Sequence, residues 1–147
     1  MSYYADSSFL ASCYVVDTHT PQARVSLARI HAPLVFTALH ALEVRNAFQL
    51  GVFRGLISIA EAAAAWANLQ TDLRTGRLVR TIVKWPVAFR VAARLSERHS
   101  MTVGTRSLDI LHVASARTLR AAEFLSFDAR QLGLAAAIGL KAAAAQL

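Results

Sequence analysis

Cysteine is nearly absent from this chain: Cys13 stands alone among 147 residues. An internal disulfide is excluded. A domain of this length needs none, because about 68–70% of the unfolded surface can be buried without one. Cys13 sits in an apolar run, where a buried, inert thiol is expected. Proline and glycine are also scarce, at 3 and 6 residues, so no Gly- or Pro-rich linker divides the sequence. Long apolar runs are missing. The longest stretch without a charge runs from Ile30 to Leu42, and it contains two His and a Pro. A membrane-spanning helix needs roughly 20 apolar residues, so none is expected. The segment Met1 to Asp6 has no basic cluster and meets an acid at once, so it does not read as a signal peptide, and a cytoplasmic setting is expected. Acids are the last scarcity. Nine Asp and Glu face sixteen Lys and Arg, so the position of each carboxylate is informative.

What is present is apolar and basic. Hydrophobic residues make up 55% and charged residues 17%, too apolar a balance for a disordered chain. The formal charge is +7, carried mostly by arginine. An arginine-rich, acid-poor surface favours a phosphate-bearing partner.

Short apolar runs alternate with helical segments. Strands are expected at Tyr3-Tyr4-Ala5, Leu34 to Thr37, Leu78 to Val83 and Glu123 to Phe127, with a short edge strand near Leu140. Helices are expected after Ser7-Ser8, after Pro21, over Ala38 to Gln49, over Ser58 to Thr75, from Pro86 to about His99, over Ser107 to Arg120 and over Ala129 to Ala137. Ser58 and Glu61 have capping-box spacing, and Gly76 suits a C-terminal cap. On the third of these helices Leu39, Leu42, Phe48 and Leu50 form the expected apolar stripe. The pattern predicts one α/β domain over residues 1–141 and a short Ala-rich tail over 142–147. The expected architecture is a three-layer α/β/α sandwich around a parallel sheet of four to five strands. In such sheets ligands bind at the carboxyl ends of the strands, near the switch in strand order.

Four acids fall where that edge should be. Asp6 and Asp128 directly follow the first and fourth strands. Glu43 lies on the helix after the second strand, at the rim of an apolar face. Asp109 lies in the first turn of a helix followed by Ile110, Leu111, Val113 and Ala114. Each has a structural explanation as a helix cap, a first-turn acid or a solvent-reaching edge residue. Together they are harder to explain so, because carboxylates gathered in one cleft repel unless cations compensate. Hard divalent cations such as Mg²⁺ or Mn²⁺ take such oxygens. Two of them at one site can activate water for phosphodiester cleavage.

Tyr4-Ala5-Asp6-Ser7-Ser8-Phe9-Leu10 resembles the opening motif of PIN-domain ribonucleases. Ala41-Leu42-Glu43-Val44-Arg45-Asn46-Ala47 resembles their second motif. Gly104 to Ala116, containing Asp109, resembles the third, and Phe124-Leu125-Ser126-Phe127-Asp128 with Gln131-Leu132 resembles the fourth. The nearest likeness is to VapC-type toxins of type II toxin–antitoxin systems. The resemblance implies a PIN-like fold and an endoribonuclease dependent on Mg²⁺ or Mn²⁺, with metal-activated water attacking phosphorus in line. It implies Asp6, Glu43, Asp109 and Asp128 as metal ligands, and Ser8 and Ser126 as the hydroxyls supporting them. Arg45 and Arg106 flank the acids and become candidate RNA contacts. The implied partners are an RNA substrate, a cognate antitoxin and a second copy of the chain. The Ala-rich tail lacks the β-branched residues usual in a final strand, so a fifth strand is in doubt.

Other readings fit less well. His40 with Glu43 and Asp109 with His112 have the i, i+3 spacing of a His/carboxylate transition-metal protein. The strand signals oppose the helical bundle that such a site needs, so the histidines are expected to pack or hydrogen-bond beside the cleft. A haloacid-dehalogenase-like phosphatase would need an acid where Ser8 stands, and no Gly-rich phosphate loop is present. A non-catalytic RNA- or protein-binding PIN-like module remains the alternative from a different class.

Overall fold

In the computed structural model, which describes residues 2–143, five strands form one sheet with every pairing parallel. The strands are β1 (Tyr3–Ala5), β2 (Leu34–Phe36), β3 (Leu78–Arg80), β4 (Glu123–Leu125) and β5 (Ala142–Ala143). Their order is β3-β2-β1-β4-β5. The chain builds outward from β1 to β3 on one side, then returns to place β4 on the other side of β1. The switch in strand order therefore lies between β1 and β4, and Asp6 and Asp128 are the residues that end up beside it.

Seven helices cover the sheet: α1 (Ser7–Tyr14), α2 (Thr20–Ala28), α3 (Ala38–Phe53), α4 (Ile59–Thr75), α5 (Trp85–Val103), α6 (Ser107–Thr118) and α7 (Ala129–Ala137). The pleat sorts side chains by parity. Ala5, Leu34, Phe36 and Leu125 point to one face and pack with Phe9, Leu10, Val44, Phe48 and Leu69 of α1, α3 and α4. Tyr4, Val35 and Phe124 point to the other and pack with Leu95, Val113, Ala114 and Leu134 of α5, α6 and α7. The result is the three-layer α/β/α sandwich expected from the alternation. No helix among the described residues is long and apolar enough to cross a membrane.

The helix starts follow the local chemistry closely. Asp6, Thr37, Ser58 and Asp128 each accept a hydrogen bond from the first turn of the helix that they precede. Ser58 and Glu61 form the expected capping box. Gly76 and Gly104 end α4 and α5 in the left-handed region, at φ of 79° and 70°. Gly104 lets the chain turn directly from α5 into α6, which carries Asp109.

Several details differ from the sequence-based expectation. β3 stops at Arg80 and β4 stops at Leu125. Ser126 leaves the ladder because its hydroxyl is engaged by Asp6 and by the Asp128 amide. The buried row of α3 is His40, Val44 and Phe48, while Leu42 is 69% exposed. A histidine with both ring nitrogens bonded takes the inward position, and this turns the leucines outward. β5 forms despite its alanine composition. Its register is fixed by Phe124 N–H donating to Lys141 O at 2.8 Å and by a Lys141–Glu123 ion pair. The first two residues of the Ala-rich tail are thus strand, and 144–147 lie outside the described residues.

Candidate functional site

The carboxyl edge of the sheet gathers residues from four separate segments. Asp6 comes directly off β1 and is 1% exposed. Its Oδ1 accepts from Phe9 N–H at 2.7 Å, and its Oδ2 accepts from the Ser126 hydroxyl at 2.5 Å. Burial raises its pKa above the ordinary Asp range, and the charge of Asp109 adds to the rise. Hydrogen bonds from Ser126 and Phe9 oppose it. Ser126 also accepts from Asp128 N–H at 2.9 Å, so one hydroxyl ties the ends of β1 and β4 together.

Asp128 caps α7, and both capping bonds, from Arg130 N–H and Gln131 N–H, fall on Oδ1. Asp109, in the first turn of α6, accepts from Arg106 Nε at 2.9 Å on Oδ2 and from Gln131 Nε2 at 3.0 Å on Oδ1. Glu43 reaches the same edge from α3. Its Oε2 is 3.1 Å from His112 Nε2, and its Oε1 is buried with no hydrogen-bond partner. A buried carboxylate oxygen without a donor is costly, and a cation would relieve it. The exposed Arg106 guanidinium is held above the usual Arg range by its hydrogen bond to Asp109 and by the charges of Asp109, Asp128 and Glu43. Three of the acids thus act on one guanidinium, and Asp109 also acts on Asp6.

In this arrangement no group of three or more His, Cys, Asp or Glu side chains among the described residues is gathered closely enough to hold one ion. The donor set itself suits a hard divalent cation, being all carboxylate oxygen. The nearest obstacle is the Arg106–Asp109 pair, whose arginine side chain is 75% exposed.

Behind the acids lies a buried ring cluster that spacing alone did not reveal. His112 Nδ1 is 2.9 Å from the Tyr4 hydroxyl, and its Nε2 lies near both Glu43 and the Ser7 hydroxyl. Burial holds the Tyr4 phenol far above its ordinary range, so it keeps its proton. His40 stacks between Tyr4 and Phe36. Its Nε2 donates to Ala5 O at 2.7 Å, and its Nδ1 accepts from Thr37 N–H at 3.0 Å. Burial drives its pKa down to about 3.

The remaining sequence candidates fall in different places. Ser8 is exposed on α1, whereas Ser7 turns inward to His112. Arg45 lies over the Trp66 ring at 4.7 Å, in the groove between α3 and α4, while Arg106 stands at the acids. Gln131 was named in the fourth motif without a role, and Arg130 was not singled out; α7 carries both to the edge. Cys13 donates to Phe9 O, and burial pushes its thiol up to about 12, as an inert thiol requires. A separate cleft of about 440 Å³ opens at the opposite edge, lined by Leu10, Tyr14, Ile30, Leu34, Asp72 and Leu78 among others. Its one carboxylate, Asp72, is already bound by Tyr14 and paired with Arg77, so no hydrolytic group assembles there.

No protein-family model and no curated protein matches the sequence. Among solved structures, the chain is similar to the crystal structure of FitAcB from Neisseria gonorrhoeae. The TM-score is 0.62, at 13% identity over 95% of each chain. At this identity the likeness is one of fold, and the fold is PIN-like.

Proposed function

We propose that this chain is a PIN-type endoribonuclease dependent on Mg²⁺ or Mn²⁺, acting as the toxin of a toxin–antitoxin pair and most like the VapC type. One observation carries the reading: a buried Glu43 oxygen is left unpartnered near Asp109 and Asp128, whose charges act with that of Glu43 on Arg106. Asp6, Glu43, Asp109 and Asp128 would hold the cation. When bound, such a cation activates water and neutralises charge on a scissile phosphate.

The chain's own residues prepare that chemistry. Helix caps and Ser126 fix the directions of Asp6 and Asp128 before any ligand arrives. Arg106 and Arg130, both exposed beside the acids, supply positive charge for an RNA backbone. The surplus of +7 draws a polyanion toward them and suits an acidic antitoxin segment. Exposed apolar side chains, among them Phe53, Leu56 and Ile59 near the α3–α4 groove and Ile82 and Phe89 elsewhere, offer area for an antitoxin or a second copy.

A non-catalytic RNA- or protein-binding module is the second reading. It draws on the Arg106–Asp109 pair, which neutralises one acid without a metal. One experiment separates the two. Purified wild type is incubated with total RNA with and without Mn²⁺, beside Asp6→Asn and Asp109→Asn. Mn²⁺-dependent cutting by wild type, absent from both variants, is the expected result. Mn²⁺ at a hundredfold excess over Kd should also stabilise wild type by about 2.7 kcal/mol in thermal unfolding. Equal cleavage by all three proteins, or no Mn²⁺ stabilisation of wild type, overturns the catalytic assignment. Induced expression should arrest growth, and Glu43→Gln should relieve the arrest.

A further inference from the structure

We propose that His112 is a positioning residue for Glu43, its Nε2–H holding Oε2 so that Oε1 is the atom offered to a divalent cation. This rests on the metal-dependent reading above and assigns within it a role to a residue outside the carboxylate set.

The geometry is a short chain of hydrogen bonds running from the core to the edge. The Tyr4 hydroxyl lies 2.9 Å from His112 Nδ1, and His112 Nε2 lies 3.1 Å from Glu43 Oε2. A neutral imidazole donates from one nitrogen and accepts at the other. A carboxylate can only accept, so Nε2 carries the hydrogen. Nδ1 is then the acceptor, and the Tyr4 hydroxyl supplies its donor. Tyr4 is 0% exposed, and its hydroxyl is the group within hydrogen-bond distance of Nδ1. Ser7 Oγ, 3.2 Å from Nε2, shares that N–H with Glu43 Oε2 as a second acceptor and leaves Nδ1 to Tyr4.

A purely packing role does not account for this arrangement. His112 is 1% exposed and sits between Leu111 and Val113 on a helix whose other inward residues are apolar or small. An apolar side chain there would leave the Tyr4 hydroxyl and Glu43 Oε2 without this partner, beside the already unpartnered Oε1. With His112 in place, one oxygen of Glu43 is fixed and the other is left for a ligand. Hydrogen bonds to a ligating carboxylate set its orientation, and their loss lowers metal affinity by about 10–100-fold.

The test begins on unmodified, metal-free protein. Long-range ¹H–¹⁵N spectra of the imidazole should show His112 with hydrogen on Nε2 and a bare Nδ1. The opposite tautomer overturns the proposal without any variant being made. Mn²⁺ affinity is then measured calorimetrically. His112→Leu should bind about 10–100-fold more weakly, and Tyr4→Phe should shift in the same direction. His112→Gln, which keeps an N–H donor, should recover most of the loss. If His112→Leu does not fold by circular dichroism, the wild-type spectrum and Tyr4→Phe decide. Wild-type affinity retained in His112→Leu, or in Tyr4→Phe when the leucine variant is unfolded, overturns the positioning role alone. Absence of Mn²⁺ binding by wild type overturns the metal-dependent reading itself.

Discussion

Replacing His40 by glutamine should remove a large part of the acid sensitivity of this fold. His40 is 0% exposed, and Tyr4 and His112 are the titratable rings packed against it. Burial lowers its pKa from 6.5 to about 3. The folded state therefore refuses a proton that the unfolded chain accepts. Stability is full above pH 6.5 and declines as pH falls through the interval down to about 3. At roughly 1.4 kcal/mol per unit, the whole interval is worth about 4–5 kcal/mol, and the part between pH 6.5 and 5 about 2 kcal/mol. That is a large share of a total stability of about 5–15 kcal/mol.

Glutamine suits the test because the site is a capping box. His40 occupies the third helical position after Thr37 and accepts from the Thr37 N–H. A glutamine oxygen performs that task in ordinary capping boxes, and its amide N–H is placed to donate toward Ala5 O. Loss of the ring contacts with Tyr4 and Phe36 should cost about 1–2 kcal/mol at pH 7. Urea midpoints for both proteins at pH 7, 6.5, 6, 5.5 and 5 isolate the effect, since most other titrations cancel in the difference. Wild type should lose about 2 kcal/mol more than His40→Gln between pH 6.5 and 5. Parallel pH profiles would refute the burial argument for this ring.

Ser126→Ala should destabilise by about 1–3 kcal/mol in urea unfolding, because it strips a donor from buried Asp6 and an acceptor from the Asp128 amide. Carboxyl ¹³C titration should show the Asp6 pKa rising further above its raised wild-type position, since the Ser126 bond opposes that rise. Cys13, with its thiol pushed up to about 12 by burial and by Asp17 and Asp72, should resist iodoacetamide at pH 8 in native protein. It should react at the ordinary thiol rate in urea, and fast labelling of the native protein would contradict its burial.

The strand–helix alternation was legible because β1 and β2 run directly into the helix caps Asp6 and Thr37, and Asp128 caps α7 three residues after β4; caps are local chemistry. The inward face of α3 was only partly legible. Leu39, Leu42, Phe48 and Leu50 read as the stripe because histidine counts as polar; Phe48 is buried and Leu39 half-buried, but Leu42 and Leu50 are exposed, and His40 is buried once Thr37 and Ala5 satisfy its nitrogens. β5 was hidden for a related reason. Two alanines have no strand preference of their own, and the Lys141–Glu123 pair that sets their register is a tertiary contact. The placing of Asp6, Asp109 and Asp128 at helix starts could be read from order and spacing, but their partners could not. Tyr4 and His112 are 108 positions apart in the sequence, and no periodicity links them.

Capping a helix does not use up a carboxylate. A carboxylate has two oxygens and about four acceptor directions. Asp128 spends both of its capping bonds on one oxygen. Asp6 caps α1 with Oδ1 and takes Ser126 on Oδ2. These bonds fix the side chains and also place two acids at the positive ends of α1 and α7, while Asp109 lies in the first turn of α6. Helix N-termini favour negative charge by about 0.3–1 kcal/mol each at exposed sites. Three of the four acids are therefore supported by a helix end, and Glu43, which has none, is the one supported by His112. The fold therefore fixes the direction of each acid separately, by helix ends and by His112, before any cation binds.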